Sequence, residues 1–205
     1  MLDHAGFDLW ADNYDRTVGL SDDDGTYPFA GYRAMLGMIF SRVLSSGAET
    51  VLDMGFGTGV LTAKFYERGL VVYGQDFSER MIALAKEKMP QAQLFYGDFS
   101  LGLAKPLMER KYDAIIATYS MHHLTDEQKG PLLAGLYSLL EEGGCLYIGD
   151  VAFGTRAELE ACRLDCGEEW DGDEDYFVYE EVKSLFPAMT FERISHCAGL
   201  LCLKR

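Results

Sequence analysis

The chain has 205 residues, 48% of them hydrophobic and 25% charged, a balance that suits one globular domain with a sizeable core. Its formal net charge of -15 sets 33 acids against 18 basic residues, which argues against nucleic acid or an anionic membrane as partner, because both need clustered Lys and Arg. No basic-then-apolar leader opens the chain, no run approaches the roughly 18 apolar residues of a membrane span, and the five cysteines are scattered, so a cytoplasmic protein without a disulfide framework is expected.

In chain order, residues 1–46 read as an N-terminal helical cap. Apolar spacing at Phe7, Trp10, Ala11 and Tyr14 is followed by an acidic turn at 22–25 and an apolar helix over about 29–44. Trp10, Tyr14, Tyr27 and Arg33 are the cap residues that could seal a site or touch an acceptor; for Trp10 and Tyr14 an apolar face packed on the core is an equal alternative. A buried strand at 50–54 then breaks into alternate glycines, Val51-Leu-Asp53-Met-Gly55-Phe56-Gly57-Thr58-Gly59. Glycine tolerates φ > 0 and has no Cβ, so the chain can turn sharply here and a ligand can lie against bare main chain. A dinucleotide fingerprint wants Gly or Ala three residues after the second glycine, and Val60 stands there instead. The spacing therefore suits a nucleotide-sized cofactor with no pyrophosphate.

Strands at 70–76, 93–97, 112–118 and 145–151 alternate with helical patterns at about 60–68, 78–88 and 126–141. That alternation predicts right-handed crossovers and a mostly parallel sheet covered on both faces. The second strand closes on Asp76, placed to accept ribose hydroxyls, and the third on Asp98, suited to an adenine amine or, alternatively, to capping a turn. The fourth opens into Thr118-Tyr119-Ser-Met-His122-His123. A histidine there suits removal of an acceptor's proton, with packing at a helix start as the alternative. The helix at 126–141 is expected to end on Gly143-Gly144. Within residues 152–185 the acidic run 165–177 reads as solvated surface. Its acids miss the glycine and glutamate of an EF-hand loop, and Cys162 with Cys166 lacks a second ligand pair, so no metal site is expected. Residues 190–195 and 200–204 are separated by so short a turn that only an antiparallel hairpin fits.

This series of elements resembles the class I S-adenosylmethionine-dependent methyltransferases in their small bacterial form. The resemblance runs from about residue 7 to the C-terminus, on Asp53-x-Gly-x-Gly-x-Gly59, Asp76, Gly97-Asp98, Tyr112-Asp113 and Glu142-Gly-Gly144. It implies an α/β, Rossmann-like fold: seven strands in the order 3-2-1-4-5-7-6, strand 7 antiparallel, in one domain made of the cap (1–46), a cofactor-binding core (47–151), a substrate-side insertion (152–185) and a hairpin (186–205). It also implies a cofactor-binding set. The methionine moiety would lie against the loop of Gly55, Phe56, Gly57, Thr58 and Gly59 with Asp53 near its ammonium; Asp76 would hold the ribose; Phe77 and Met81 would flank the adenine, with Asp98 and the Phe99 amide on its edge; Thr118 and Tyr119 would lie beneath the sulfonium. S-adenosylhomocysteine would be the product. An Asn-Pro-Pro-Tyr loop is absent, so a small-molecule acceptor is expected, with a non-catalytic cofactor sensor or, more remotely, a protein methyltransferase as alternatives. A monomer and a homodimer are both compatible with the sequence.

Overall fold

The computed structural model describes residue 22 and residues 24–205, so Trp10 and Tyr14 lie outside the described residues. The elements in chain order are α1 (Tyr32–Ser45), β1 (Thr50–Met54), α2 (Thr62–Glu67), β2 (Val71–Asp76), α3 (Glu79–Lys88), β3 (Gln93–Tyr96), α4 (Lys105–Met108), β4 (Tyr112–Thr118), α5 (Asp126–Ser138), β5 (Leu140–Phe153), α6 (Arg156–Cys166), β6 (Phe177–Val178), α7 (Tyr179–Leu185), β7 (Thr190–Arg193) and β8 (Ala198–Lys204). The sheet runs β3-β2-β1-β4-β5-β8-β7, with the short β6 pairing beside the end of β5. All pairings from β3 to β5 are parallel, and β8 is antiparallel to both β5 and β7. Because β6 takes a number, β8 and β7 are the expected strands 7 and 6, and the expected order holds.

Burial explains why the central strands read as unbroken apolar runs. Val51, Leu52, Ile115 and Ile116 are fully buried, their side chains alternating between two cores because both sheet faces are covered. On one face Val51 and Ile116 pack with Met35, Ile39 and Val43 of α1, Phe65 of α2 and Ile82 of α3. On the other, Leu52 and Ile115 pack with Leu107 of α4 and Leu133 and Leu136 of α5. Gly149 admits α1: a Cβ there would stand 2.4 Å from the Met35 sulfur.

One boundary differs in kind. Helix α5 stops at Ser138 and β5 begins at Leu140, so Gly143-Gly144 lies inside a strand and does not cap the helix. The glycines serve a shift in register against β4 between Tyr112 and Ala114. A Cβ on Gly144 would lie 2.9–3.1 Å from the carbonyl oxygens of Asp113, Glu141 and Tyr112, and the Gly144 carbonyl accepts the Arg205 amide at 2.9 Å. Close approach of main chains at Gly144 and a left-handed φ of 84 at Gly143, rather than a helix terminus, are what demand glycine here.

Candidate active site

β1 ends at the carboxyl edge of the sheet between β2 and β4, the edge at which open α/β sheets bind ligands. The chain leaves it through Gly55 (φ 74) and Gly57 (φ 55), in the left-handed region that costs an ordinary residue about 1–2 kcal/mol. Their surroundings separate their roles. A Cβ on Gly55 would lie 2.5 Å from Ser120 Cβ and 3.4 Å from the Phe99 ring, and one on Gly59 would lie 2.9 Å from the Met89 methyl. A Cβ on Gly57 would meet nothing within 4 Å. Two of the three glycines thus let the loop nest against its own chain, and Gly57 turns bare backbone to open space.

Asp53 sits beneath this loop at 1% exposure. Its Oδ2 accepts from the Thr62 hydroxyl, while Oδ1 has no partner among the described residues. Burial pushes the carboxyl up to about 7, with Thr62 opposing the rise and the charge of Asp76 adding to it. A buried carboxylate oxygen lacking a donor costs at least about 1–3 kcal/mol, which a cationic donor would offset. The cavity beside it is lined by Asp53, Gly55, Phe56, Gly57, Thr58 and Thr118, together with Tyr32, Val60, Leu61 and Thr62. An orphaned buried acid and a glycine facing open space fit a group that carries an ammonium.

The other expected cofactor residues stand around the loop rather than in this cavity. Asp76, buried, accepts the Gly57 amide at 2.8 Å through Oδ2 and the Ser78 amide at 2.9 Å through Oδ1. It therefore shapes the glycine loop from the end of β2. Phe77 begins the turn into α3, and the Met81 amide donates to Ser78 Oγ at 3.1 Å. Asp98 Oδ1 accepts the Ser100 amide at 2.8 Å, the turn-capping role, and the buried Phe99 ring backs Gly55.

Beyond Thr118 the chain enters the left-handed region at Tyr119 (φ 49), rare for a non-glycine residue and a mark of functional loops. The Tyr119 amide donates to the Gly149 carbonyl at 2.8 Å, and its ring packs on Phe29 and Tyr32. Ser120 Oγ donates to the Met54 carbonyl at 2.7 Å, which ties this loop to β1. A single 3-10 turn, Met121–His123, then presents the two histidines. His122 is buried, with Nδ1 2.5 Å from Asp150 Oδ1. Asp150, fully buried near the end of β5, also accepts the Met121 amide at 3.1 Å and the Val151 amide at 2.8 Å. Burial alone would lower the His122 pKa, but the charge and hydrogen bond of Asp150, with Glu174 behind them, carry it upward. Burial and the neighbouring His122 push His123 down to about 3, so it is neutral at physiological pH.

Residues 152–185 close over these histidines. The Tyr176 hydroxyl donates to Glu174 Oε2 at 2.9 Å and shares a hydrogen bond with the Tyr27 hydroxyl. The Tyr27 ring stacks on Trp170 with centroids 5.3 Å apart. Burial raises the Glu174 pKa against the opposing pull of His122. The acidic run is thus not uniformly solvated surface: Asp171 and Asp173 are exposed, but Trp170, Glu174 and Tyr176 fold inward because their rings and carboxylate find partners beneath. Arg33 is not part of this arrangement. Its side chain is 62% exposed and its guanidinium lies 3.6 Å from Asp22.

The sequence reading missed Tyr32, Thr62, Asp150, Glu174 and Tyr176. Asp150 carried a usable signal, being a lone acid within the apolar run of the fifth strand. Glu174 carried none, being one acid among many.

Residues 51–144 match the family described as "Methyltransferase domain". An Anoxybacillus flavithermus protein described as an uncharacterized methyltransferase is 33% identical over 190 residues, covering 93% of this chain and 86% of that protein. One from Geobacillus thermodenitrificans is 39% identical over 188 residues, covering 88% and 84%. Among solved structures, a S-adenosylmethionine-dependent methyltransferase from Clostridium acetobutylicum superposes with TM-score 0.69 at 14% identity, covering 93% of this chain and 98% of that one. The magnesium protoporphyrin IX methyltransferase of Synechocystis PCC 6803 with bound SAH gives 0.66 at 19%, covering 86% and 84%. These two relatives, matched over 84–86% of their length, and the shared Rossmann-like sheet place the chain among the class I methyltransferases, to which it belongs.

Proposed function

We propose that the protein transfers the methyl group of S-adenosylmethionine to a small-molecule acceptor in the cytoplasm. The observation that carries this reading is Asp53 Oδ1, buried and unpartnered among the described residues, beside the open face of Gly57. There an ammonium would find its counter-charge, Gly55 and Gly57 would pass under the methionine moiety, and Asp76 would take the ribose; Phe77, Met81, Asp98 and Phe99 would flank the adenine. The bound cofactor supplies an electrophilic methyl group, whose bond to sulfur breaks as a bond to the acceptor's heteroatom forms.

The chain's own contribution is alignment and exclusion of water, because the departing thioether needs no proton. An acceptor hydroxyl, amine or thiol still has to lose one, and the loop carrying His122 and His123 is where we place that step. Residues 1–46 and 152–185 would cover the acceptor, and the Tyr27, Trp170 and Tyr176 cluster that joins them supports this reading. A net charge of -15 disfavours polyanions, so a metabolite fits better than a nucleic acid.

The test is a transfer screen with methyl-labelled cofactor against pooled metabolites and a peptide array. Label appearing in a metabolite pool supports the proposal. Tight cofactor binding with no transfer to any pool favours a sensor, and label on the array alone favours a protein methyltransferase.

A further inference from the structure

His122, His123 and Glu174 meet at distances longer than those of strong hydrogen bonds. Glu174 Oε1 lies 3.5 Å from His122 Nε2 and 3.4 Å from His123 Nδ1. Good N–H···O bonds run at about 2.7–3.2 Å, so one carboxylate oxygen faces two imidazole nitrogens at distances too long for either to be a strong bond. A cation bridging them requires such distances. Metal–ligand bonds of about 2.0–2.1 Å at tetrahedral angles put neighbouring ligand atoms about 3.3–3.4 Å apart. An octahedral site with bonds of about 2.1 Å would bring them to about 3.0 Å. All three donor atoms lie within 4.8 Å of one another, so an ion would have to draw the two imidazole nitrogens closer together.

The surroundings are those of a supported ligand set. Metal-binding histidines usually donate their other ring N–H to a carboxylate, which fixes the tautomer and aims the free nitrogen at the ion. His122 has this arrangement, with Nδ1 against the fully buried Asp150, itself fixed by the Met121 and Val151 amides. The Tyr176 hydroxyl holds the second oxygen of Glu174, leaving Oε1 for the ion. Side-chain exposures of 22% for His123 and 16% for Glu174 leave a side open for a fourth ligand.

We propose that His122 Nε2, His123 Nδ1 and Glu174 Oε1 bind one divalent transition-metal ion of the Zn2+ class, with an open fourth position for an oxygen or sulfur of the acceptor. Two imidazoles and one carboxylate are a donor set suited to Zn2+ or Co2+ rather than to Mg2+ or Ca2+. The metal site stands on this geometry alone; its use in catalysis rests on the function proposed above.

The experiment uses the full chain, stripped with a chelator and dialysed. Zn2+ is titrated by calorimetry and Co2+ by visible absorption. We expect one ion per chain, the intense visible bands of four-coordinate Co2+, and at least about tenfold weaker binding in His123→Ala and in Glu174→Gln, with S-adenosylhomocysteine affinity retained as the check on folding. Asp150→Asn, acting through His122, should weaken the ion about 10- to 100-fold. Less than a fifth of an ion per chain overturns the proposal, as does binding that survives both Glu174→Gln and His123→Ala. The two readings fail separately: a chain that binds the ion but transfers no methyl group leaves the metal site standing, and one that transfers methyl after chelation without taking up an ion overturns the site alone.

Discussion

Asp53 makes a quantitative demand on how the cofactor binds. Its carboxyl is pushed up to about 7 by burial, so the ligand-free protein at pH 6 carries it about nine-tenths protonated. If Asp53 meets the ammonium of S-adenosylmethionine, the complex needs the carboxylate, and binding expels that proton. About 0.9 proton should be released per ligand at pH 6 and about 0.5 at pH 7. The α-amino group, with an ordinary pKa of about 7.7–8.0, stays cationic across this window and does not mask the signal. Affinity should fall about fiftyfold from pH 7 to pH 5, about 2.3 kcal/mol. Calorimetry in two buffers of different ionisation enthalpy measures both quantities, and Asp53→Asn should abolish the release and flatten the profile. Equal heats in the two buffers, with affinity unchanged from pH 7 to pH 5, would refute the pairing of Asp53 with a cation.

The same group sets a stability slope of known sign. Its folded pKa lies above the ordinary 3.8, so between about pH 4 and pH 7 the folded chain holds more protons than the unfolded one. The ligand-free protein therefore loses stability from Asp53 as pH rises through that window, by on the order of 4 kcal/mol at most. Denaturant unfolding of Asp53→Asn against the parent isolates this contribution, since the rest of the titration is shared.

Gly55→Ala and Gly57→Ala should separate, although both residues adopt left-handed backbone. The first drives a Cβ to 2.5 Å from Ser120 and should lower stability by more than about 3 kcal/mol by thermal unfolding; the second should cost about 1–2 kcal/mol of stability and, in addition, weaken S-adenosylhomocysteine binding. Equal stability losses would contradict the packing argument. Asp76→Ala should weaken cofactor affinity by about 1.5–3 kcal/mol in calorimetry, from lost ribose bonds and from release of the Gly57 amide; unaltered affinity would remove Asp76 from the site. His122→Ala and His123→Ala should slow methyl transfer at least about tenfold at saturating cofactor while leaving S-adenosylhomocysteine binding unchanged. Full activity in both would exclude the histidine loop from the reaction.

What the sequence made legible was local. The mostly parallel sheet followed from β-α alternation and the antiparallel hairpin from the short turn before β8, both written within a few residues of chain, whereas the strand order came only with the family resemblance. Asp53, Asp76 and the glycines were visible because each marks a strand end. Yet the reason for each glycine was not, since Ser120 stands 65 positions from Gly55 and no pattern in the sequence announces that contact (120 − 55 = 65). The bulge at Gly143-Gly144 misled for a similar cause: glycine after a helix-like run signals a cap, and only the β4 carbonyls crowding Gly144 and the left-handed backbone of Gly143 show the actual demand.

The proposed acceptor end was the least legible, for a physical reason. Its groups come from four separated stretches, with Tyr27 before α1, His122 and His123 after β4, Asp150 near the end of β5, and Glu174 and Tyr176 past α6. No periodicity links them, because all but Asp150, which lies within β5, come from connections rather than from repeating elements. Connections can change while the sheet that sets their roots does not, so a shared strand edge gives a common cofactor end and a variable acceptor end. In this chain that division falls between Asp53, whose surroundings are made by β1 and its following turn, and Glu174, whose neighbours exist only because residues 170–176 fold back over the histidines. A Tyr27→Phe or Trp170→Ala substitution should therefore alter acceptor KM more than cofactor Kd. An equal effect on both would mean that the cover and the glycine loop move as one unit.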